Sequence, residues 1–342
     1  MKIAPLYRAF QNHKNAYSVK LIHTGQHYDQ NMSGVFLEQL GLPKPDYHLN
    51  IGSGSHAFQT GTTMIEYEKL CLESSRPDLV IVVGDVNATI ACTLAAKKIG
   101  VHVAHLEAGL RSFDREMPEE INRILTDSIS DILWTPSPDG DEQLIKENIA
   151  QNKITRVGNI MIDSLVMMMP QIEQSTIMDT LDIHNKKFAV ATLHRPSNVD
   201  DPQKFKTILN TIRTIDIPLI MPVHPRTQKI FDQLPDPDIP ENIRMVAPLP
   251  YIDFMKIVKN AEFILTDSGG IQEETTYLNI PCFTMRDNTE RPITIDQGTN
   301  ILVSPETLID HIHNRKSGSK PDLWDGDTAN RIIHDLQERG YV

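Results

Sequence analysis

Short apolar runs and stretches of helical spacing alternate along almost the whole chain. Residues 1–15 carry Ile3, Leu6, Tyr7 and Phe10 at helical intervals, 18–23 reads as a strand and 31–40 as a helix. Residues 41–57, rich in Pro, Gly, Ser and Asn, predict a long loop, in which Gly52 and Gly54 mark a plain turn. A helix follows over 57–73, and 78–83 is a continuous apolar run, the pattern of a parallel strand covered on both faces. Helices at 89–99, 119–129 and 140–148 then alternate with strands at 101–106, 131–135 and 154–157. That alternation predicts a parallel, doubly wound α/β sheet.

A second series begins after Gly158. A polar, methionine-bearing segment over 161–182 bridges to strands at 188–193, 218–223, 244–247, 262–265, 281–285 and 300–303, with helical stretches between most of them. Residues 235–240 read as a proline-rich surface loop, and 324–341 ends in an amphipathic helix with Ala329, Ile332, Ile333 and Leu336 on one face. The expectation is two Rossmann-like domains, 1–158 and 159–324, with the boundary near 158–165.

Composition narrows the partners. With 342 residues, 40% hydrophobic and 23% charged, the chain has room for two cores of ordinary size. A formal net charge of −12 argues against a nucleic-acid surface or an anionic membrane as partner, so an anionic ligand has to be held by local cations and helix termini. Cys71, Cys92 and Cys282 stand far apart, in no metal or redox spacing. No stretch has the length and purity of a membrane span and no signal-peptide pattern opens the chain, so the cytoplasm is the expected compartment.

Polar residues cluster after one strand end after another: Gln26 and His27, Asp85, Glu107, His194 and Arg195, His224 and Arg226, Asp267 to Gly270, and Arg286 with Asp287. In open parallel sheets the ligand crevice lies at that edge, and two such edges facing each other make an interdomain cleft. At 266–274 (TDSGGIQEE) an apolar strand turns into a helix. Asp267 and Ser268 are cap-forming residues, Gly269 and Gly270 allow close approach to the backbone, and a helix start offers N–H donors and positive dipole charge to a diphosphate. Glu274, a turn further in, suits hydrogen bonds from a neutral part of the same ligand, such as a ribose. Short glycine motifs match many folds, and a capped helix after a strand accounts for these residues equally well. The rest of the chain tips the balance. Asp85 and Glu107 each end an apolar strand, where burial tunes a carboxylate, whereas Glu119 behind Pro118 serves as well to complement a helix dipole. His194, Arg195 and Arg291 supply cationic groups beside the glycine corner. One half holding a phosphorylated leaving group and the other supplying acid and base is what a nucleotide-sugar enzyme needs. No strand is followed by the dinucleotide glycine fingerprint, so no nicotinamide cofactor is expected, and no metal.

The motifs HTGQH, GD, HLEAGLRSFDREMPEEINR, TLHRP, PVHPR, LTDSGGIQEE and MRDNTERP, in this order and spacing, resemble the non-hydrolysing UDP-N-acetylglucosamine 2-epimerases over essentially the full length. The resemblance implies a glycosyltransferase-B-like pair of Rossmann-like domains, a homodimer, and a C-terminal helix at 325–342 that joins the first domain. It implies catalytic roles for Asp85, Glu107, Glu119 and His194, and UDP contacts at His194, Phe254, Ser268, Gly269, Gly270, Glu274 and Arg291. Arg195 and His224 match positions near substrate or effector phosphates, Gln26 and His27 match an effector-side loop, and Lys2 matches a basic residue after the family's first glycine turn. The implied reaction interconverts UDP-N-acetylglucosamine and UDP-N-acetylmannosamine by anti elimination of UDP to a glycal and re-addition, for cell-surface polysaccharide precursors. The implied partners are the UDP-sugar substrate, UDP and a second copy of the chain, with no nucleic acid and no membrane.

Two departures bear on that implication. The family opens with a strand and a Gly-Thr-Arg-Pro turn before the lysine that Lys2 matches, so the first domain here is expected to lack its first, central strand and a phosphate-binding arginine. Asp29 stands where the family has glutamine, and its effector-side arginine is not evident in 52–60, which speaks against allosteric activation by UDP-N-acetylglucosamine. The alternatives are a 2-epimerase of a UDP-diacetamido-uronic acid, a hydrolysing epimerase, and a nucleotide-sugar-binding protein without turnover.

Overall fold

The computed structural model describes residues 1–25, 40–74, 76–223, 227–228, 230–231 and 239–341. The chain divides into two compact units, Met1–Met167 with Asp322–Val342, and Met168–Pro321. Gln26, His27, Asp29, His224, Arg226, most of the helix expected over 31–40 and most of the proline-rich loop fall outside the described residues.

In the first unit, β1 (Ile22–His23) and β2 (Tyr47–His48) form a parallel pair. A separate parallel sheet runs β3-β4-β5-β6, from Leu79–Val83, His102–Leu106, Ile132–Thr135 and Ile154–Arg156. Strand β3 is an unbroken run of Leu, Val and Ile, side chains that suit a pleated surface with cover on each face. One core joins Ala104, Leu106, Ile132 and Trp134 to Leu6 and Phe10 of helix Ile3–Asn12, and to Ile332, Ile333 and Leu336 of helix Thr328–Glu338. The last helix is pinned by Asp335, whose carboxylate accepts hydrogen bonds from the Trp134 indole and the Thr155 hydroxyl, both at 2.7 Å. Asp163 closes its start by accepting the Thr328 and Ala329 N–H groups at 3.1 and 2.8 Å.

The second unit is one parallel sheet among the described residues, in the order β12-β11-β10-β7-β8-β9. Its strands are Ala189–Thr192 (β7), Leu219–Pro222 (β8), Ile243–Val246 (β9), Ile264–Thr266 (β10), Cys282–Thr284 (β11) and Asn300–Leu302 (β12). Strand order reverses between β7 and β10, which makes their C-terminal ends the topological switch point of a Rossmann-type sheet. Thr192 and Thr266 pair across that boundary, their hydroxyls 2.8 Å apart. The core beneath is mostly aliphatic, with Phe205, Phe263 and Phe283 fully buried within it.

Three local expectations need correction. Only Ile22 and His23 of the strand expected over 18–23 pair, and the loop expected over 41–57 contains β2, whose two residues are too few to leave a periodic signal. The bridging segment over 161–182 is helical, as Ile160–Gln174 and Ile177–Thr180. Ile162, Leu165, Met168 and Ile172 are buried along the longer helix, but the run of three methionines and Pro170 inside it hide the period in the sequence.

Candidate functional site

Each unit gathers polar residues at the C-terminal ends of its strands, and the physical devices differ. In the second unit the central group is Asp267, directly after β10 and fully buried. Its carboxylate accepts the backbone N–H of His194 at 3.0 Å, that of Arg195 at 2.9 Å and the Asn198 amide at 3.1 Å, and it lies 3.0 Å from His194 Nδ1. Burial alone would raise this carboxyl, but the bonds from His194, Arg195 and Asn198 outweigh burial and hold it below the usual carboxylate value. The Nδ1 contact fixes the His194 ring against Asp267.

Asp267 is therefore not the helix cap that its position suggests. Helix Gly269–Leu278 has Ser268 at its N-cap, yet no side chain caps it and no acidic residue sits in its first turn. The first-turn N–H donors are thus left to a ligand, and the dipole favours an anion there. Arg291 stands beside this start, with Nε 2.8 Å from Glu273 and Nη1 2.5 Å from Glu290. Glu290 also takes Arg286 at 2.9 Å. Burial opposes its charge, but Arg291 and Arg286 hold the carboxyl far below the ordinary range. The buried Gln272 accepts from Thr289 at 2.7 Å and Asn300 at 2.9 Å, which ties the Arg291 loop to the helix. A methyl group at Gly269 would lie 2.7 Å from Glu290 Oε1 and 3.2 Å from Arg291 Nη1, whereas one at Gly270 would meet nothing within 4 Å. Gly269 is small for the protein's own packing, and Gly270 faces open space.

Glu274 is buried one turn further on and accepts the Tyr251 hydroxyl at 2.7 Å. Burial pushes its carboxyl up to about 7, against the Tyr251 hydrogen bond and helped by the neighbouring Glu273 charge. Phe254, partly exposed, follows Tyr251 by one turn on helix Tyr251–Lys259.

In the first unit Asp85 follows β3 and Glu107 follows β4, and Gly84 lets the two turns close together. A Cβ at Gly84 would stand 3.2 Å from both Glu107 Oε2 and Lys2 Nζ, which form an ion pair. Glu107 adopts φ +74°, a left-handed backbone that costs a side-chain-bearing residue roughly 1–3 kcal/mol. Beneath it His105 is wholly buried, 2.6 Å from Asp127 through Nδ1 and 2.8 Å from the Gly84 carbonyl through Nε2. Burial disfavours the charged ring, but Asp127 and the Gly84 carbonyl overcome it and raise the His105 pKa. Asp127 also accepts the Gly109 N–H at 3.1 Å and pairs with Arg111 at 2.7 Å. This buried chain of alternating charge braces the strained turn. Asp85 is held by Arg123 Nη1 at 2.5 Å, and its carbonyl accepts the Asn122 amide at 2.8 Å. Glu119 lies partly exposed in the first turn of helix Pro118–Ile129.

The structure thus brings Lys2, Asp85 and Glu107 together in one unit, and gathers His194, Arg195 and Ser268 around Asp267 in the other, with Arg291 beside Gly269 and Glu274 against Tyr251. Sequence reading missed Arg123, Tyr251, Gln272 and the His105–Asp127 pair. Only the Glu120 and Arg123 spacing of three residues on a helix carried a signal.

A strand-order switch point with an uncapped helix start and a flanking arginine is the arrangement in which α/β proteins of the Rossmann class hold a phosphate group. The chain belongs to the UDP-N-acetylglucosamine 2-epimerase family, whose model matches residues 8–337. The UDP-N-acetylglucosamine 2-epimerase of Methanocaldococcus jannaschii is 42% identical over 98% of this chain and 95% of its own length. Its crystal structure in complex with UDP-GlcNAc and UDP matches with a TM-score of 0.88, covering 96% of that chain. A UDP-2,3-diacetamido-2,3-dideoxy-D-glucuronate 2-epimerase of Pseudomonas aeruginosa is 41% identical over 83% of this chain and 79% of its own. MurG of Acinetobacter baumannii, at 12% identity and a TM-score of 0.53 over 98% of this chain and 96% of its own, shares the fold alone, of the glycosyltransferase-B-like class.

Two predictions follow from the second unit's chemistry. Gly270→Ala should stabilise the ligand-free protein by up to about 1 kcal/mol through helix propensity while weakening UDP binding about tenfold or more. Gly269→Ala, by contrast, should destabilise the ligand-free protein; thermal unfolding and UDP calorimetry on both variants check the contrast. The raised Glu274 pKa means that the folded state holds that proton more tightly than the unfolded chain, so ionising the buried carboxyl costs stability as pH rises through about 7. Glu274→Gln should gain roughly 1–3 kcal/mol on the parent between pH 5 and pH 8 in denaturant unfolding, and a pH-independent difference would contradict this.

Proposed function

We propose that the protein is a non-hydrolysing UDP-N-acetylglucosamine 2-epimerase, interconverting UDP-N-acetylglucosamine and UDP-N-acetylmannosamine at carbon 2. The observation that carries this reading is the uncapped start of helix Gly269–Leu278 with the Arg291 guanidinium beside it, a diphosphate subsite at a Rossmann switch point. Likeness across nearly the full chain to an enzyme crystallised with UDP-GlcNAc and UDP supports the same ligand here.

The proton on carbon 2 is not adjacent to a carbonyl, so its direct removal is prohibitive. Breaking the bond from carbon 1 to UDP lowers that barrier, with anti elimination giving a glycal and UDP, followed by re-addition. The first-turn N–H groups at Ser268 to Gly270, Arg291 and His194 stabilise the charge that grows on the departing diphosphate. Glu274 receives ribose hydroxyls and Phe254 covers the base. Asp85, Glu107 and Glu119 take the proton from one face of the sugar and return it to the other, with Lys2 holding Glu107 in place. Arg195, tied to the Asp267 carbonyl at 3.0 Å, adds positive charge at the phosphate side. No step calls for a nicotinamide cofactor or a metal. The working assembly in this reading is a homodimer in the cytoplasm, where UDP-sugars are made.

A second reading, 2-epimerisation of a UDP-diacetamido-uronic acid, is favoured by the 41% identity to the Pseudomonas aeruginosa enzyme. Each substrate offered separately in heavy water discriminates. UDP-N-acetylglucosamine should be epimerised with one deuterium entering at carbon 2, and epimerised product without deuterium would rule the elimination out. Turnover of the uronate alone would move the assignment to the second reading, and binding of UDP with no turnover of either would make the chain a nucleotide-sugar-binding protein.

A further inference from the structure

Arg123 has not figured in the proton transfers, yet it is a buried cation paired on both edges, and one of its partners is Asp85. Its side chain keeps 3% of its surface while that of Asp85 keeps 31%. One edge of the guanidinium, Nε and Nη2, lies 3.0 and 2.8 Å from Glu120 Oε2, and the other, through Nη1, grips Asp85 Oδ2 at 2.5 Å. Glu120 is itself immobilised, since it accepts the backbone N–H of Ser112 and of Phe113, each at 2.9 Å, and the Ser112 hydroxyl at 3.1 Å. Burial opposes its charge, but those donors and Arg123 together hold its carboxyl below the usual value. The order of support therefore runs from the 112–113 backbone through Glu120 and Arg123 to one oxygen of Asp85. A planar guanidinium with one edge occupied presents the other in a fixed direction, which a flexible ammonium does not do.

We propose that Arg123 is a positioning residue for the epimerisation, orienting Asp85 by one carboxylate oxygen so that the other meets the substrate, with Glu120 as the anchor that fixes Arg123. This rests on the reading of the protein as an epimerase. Neighbours 37 and 38 residues away along the chain enforce the geometry, because Asn122 clamps the Asp85 carbonyl from the same helix that carries Arg123. Proton transfer falls steeply when a base is displaced by about an ångström, so loosening Arg123 acts on turnover rather than on nucleotide binding.

The test uses the full chain as Arg123→Lys, with Arg123→Gln as the more severe change. Both tryptophans, Trp134 and Trp324, lie in the unit that carries Arg123, so their emission reports its folded fraction, and kcat is expressed per folded molecule. In Arg123→Lys, kcat should fall about tenfold or more while KM for UDP-N-acetylglucosamine and Kd for UDP stay within about threefold. Arg123→Gln, if it folds, should fall further. A smaller drop in kcat per folded molecule, or a drop matched by an equal rise in KM, overturns the proposal and leaves Arg123 a structural residue. Absence of epimerisation by the unsubstituted protein would instead overturn the reading on which it rests.

Discussion

A carboxylate buried between two strands decides what the second unit has to offer a ligand. Asp267 leaves β10 with no access to water and satisfies itself on the backbone of the chain leaving β7, on His194 and on Asn198. Two consequences come from that one choice. The β7 exit is tied to the β10 exit at the place where strand order reverses, so His194 and Arg195 are fixed on the rim of the crevice. The helix that follows is deprived of the cap its sequence could have supplied, so its N–H groups stay available. A buried polar group that lost these partners would cost the unit its geometry as well as several hydrogen bonds.

The first unit solves a different problem with the same means. Glu107 sits in a backbone region that disfavours any side chain, and a buried run of opposite charges from His105 through Asp127 to Arg111 lies under it. Removing one member of such a chain leaves an uncompensated charge, so the turn is over-determined and its strain persists. Asp85, on the neighbouring turn, is left partly exposed and held through a single oxygen. Rigid support under a partly solvated carboxylate suits the proton-transfer role proposed for Asp85.

Much of this was legible in the residues. Apolar runs such as 78–83 announced their strands because both faces are covered, and polar clusters after those runs marked the C-terminal edges of the strands. The run at 47–48 was not legible because two residues carry no period, and the methionine-rich helix was not because flexible unbranched side chains and Pro170 disguise its buried stripe. Asp267 looked like a cap because caps are local, whereas its real partners lie 69 to 73 residues earlier. Arg123 could be paired with Glu120 from spacing alone, but its grip on Asp85, 38 residues away, belongs to the tertiary fold.

The most direct measurement is calorimetric titration of UDP into the protein and into Asp267→Asn, which keeps the shape of the side chain but replaces an acceptor oxygen with a donor facing the His194 and Arg195 N–H groups. If Asp267 sets the diphosphate subsite, UDP should bind about tenfold or more weakly to the variant while the sheet still unfolds cooperatively. Equal affinity in the two proteins would mean that the nucleotide is held elsewhere, and the account of the second unit would be wrong.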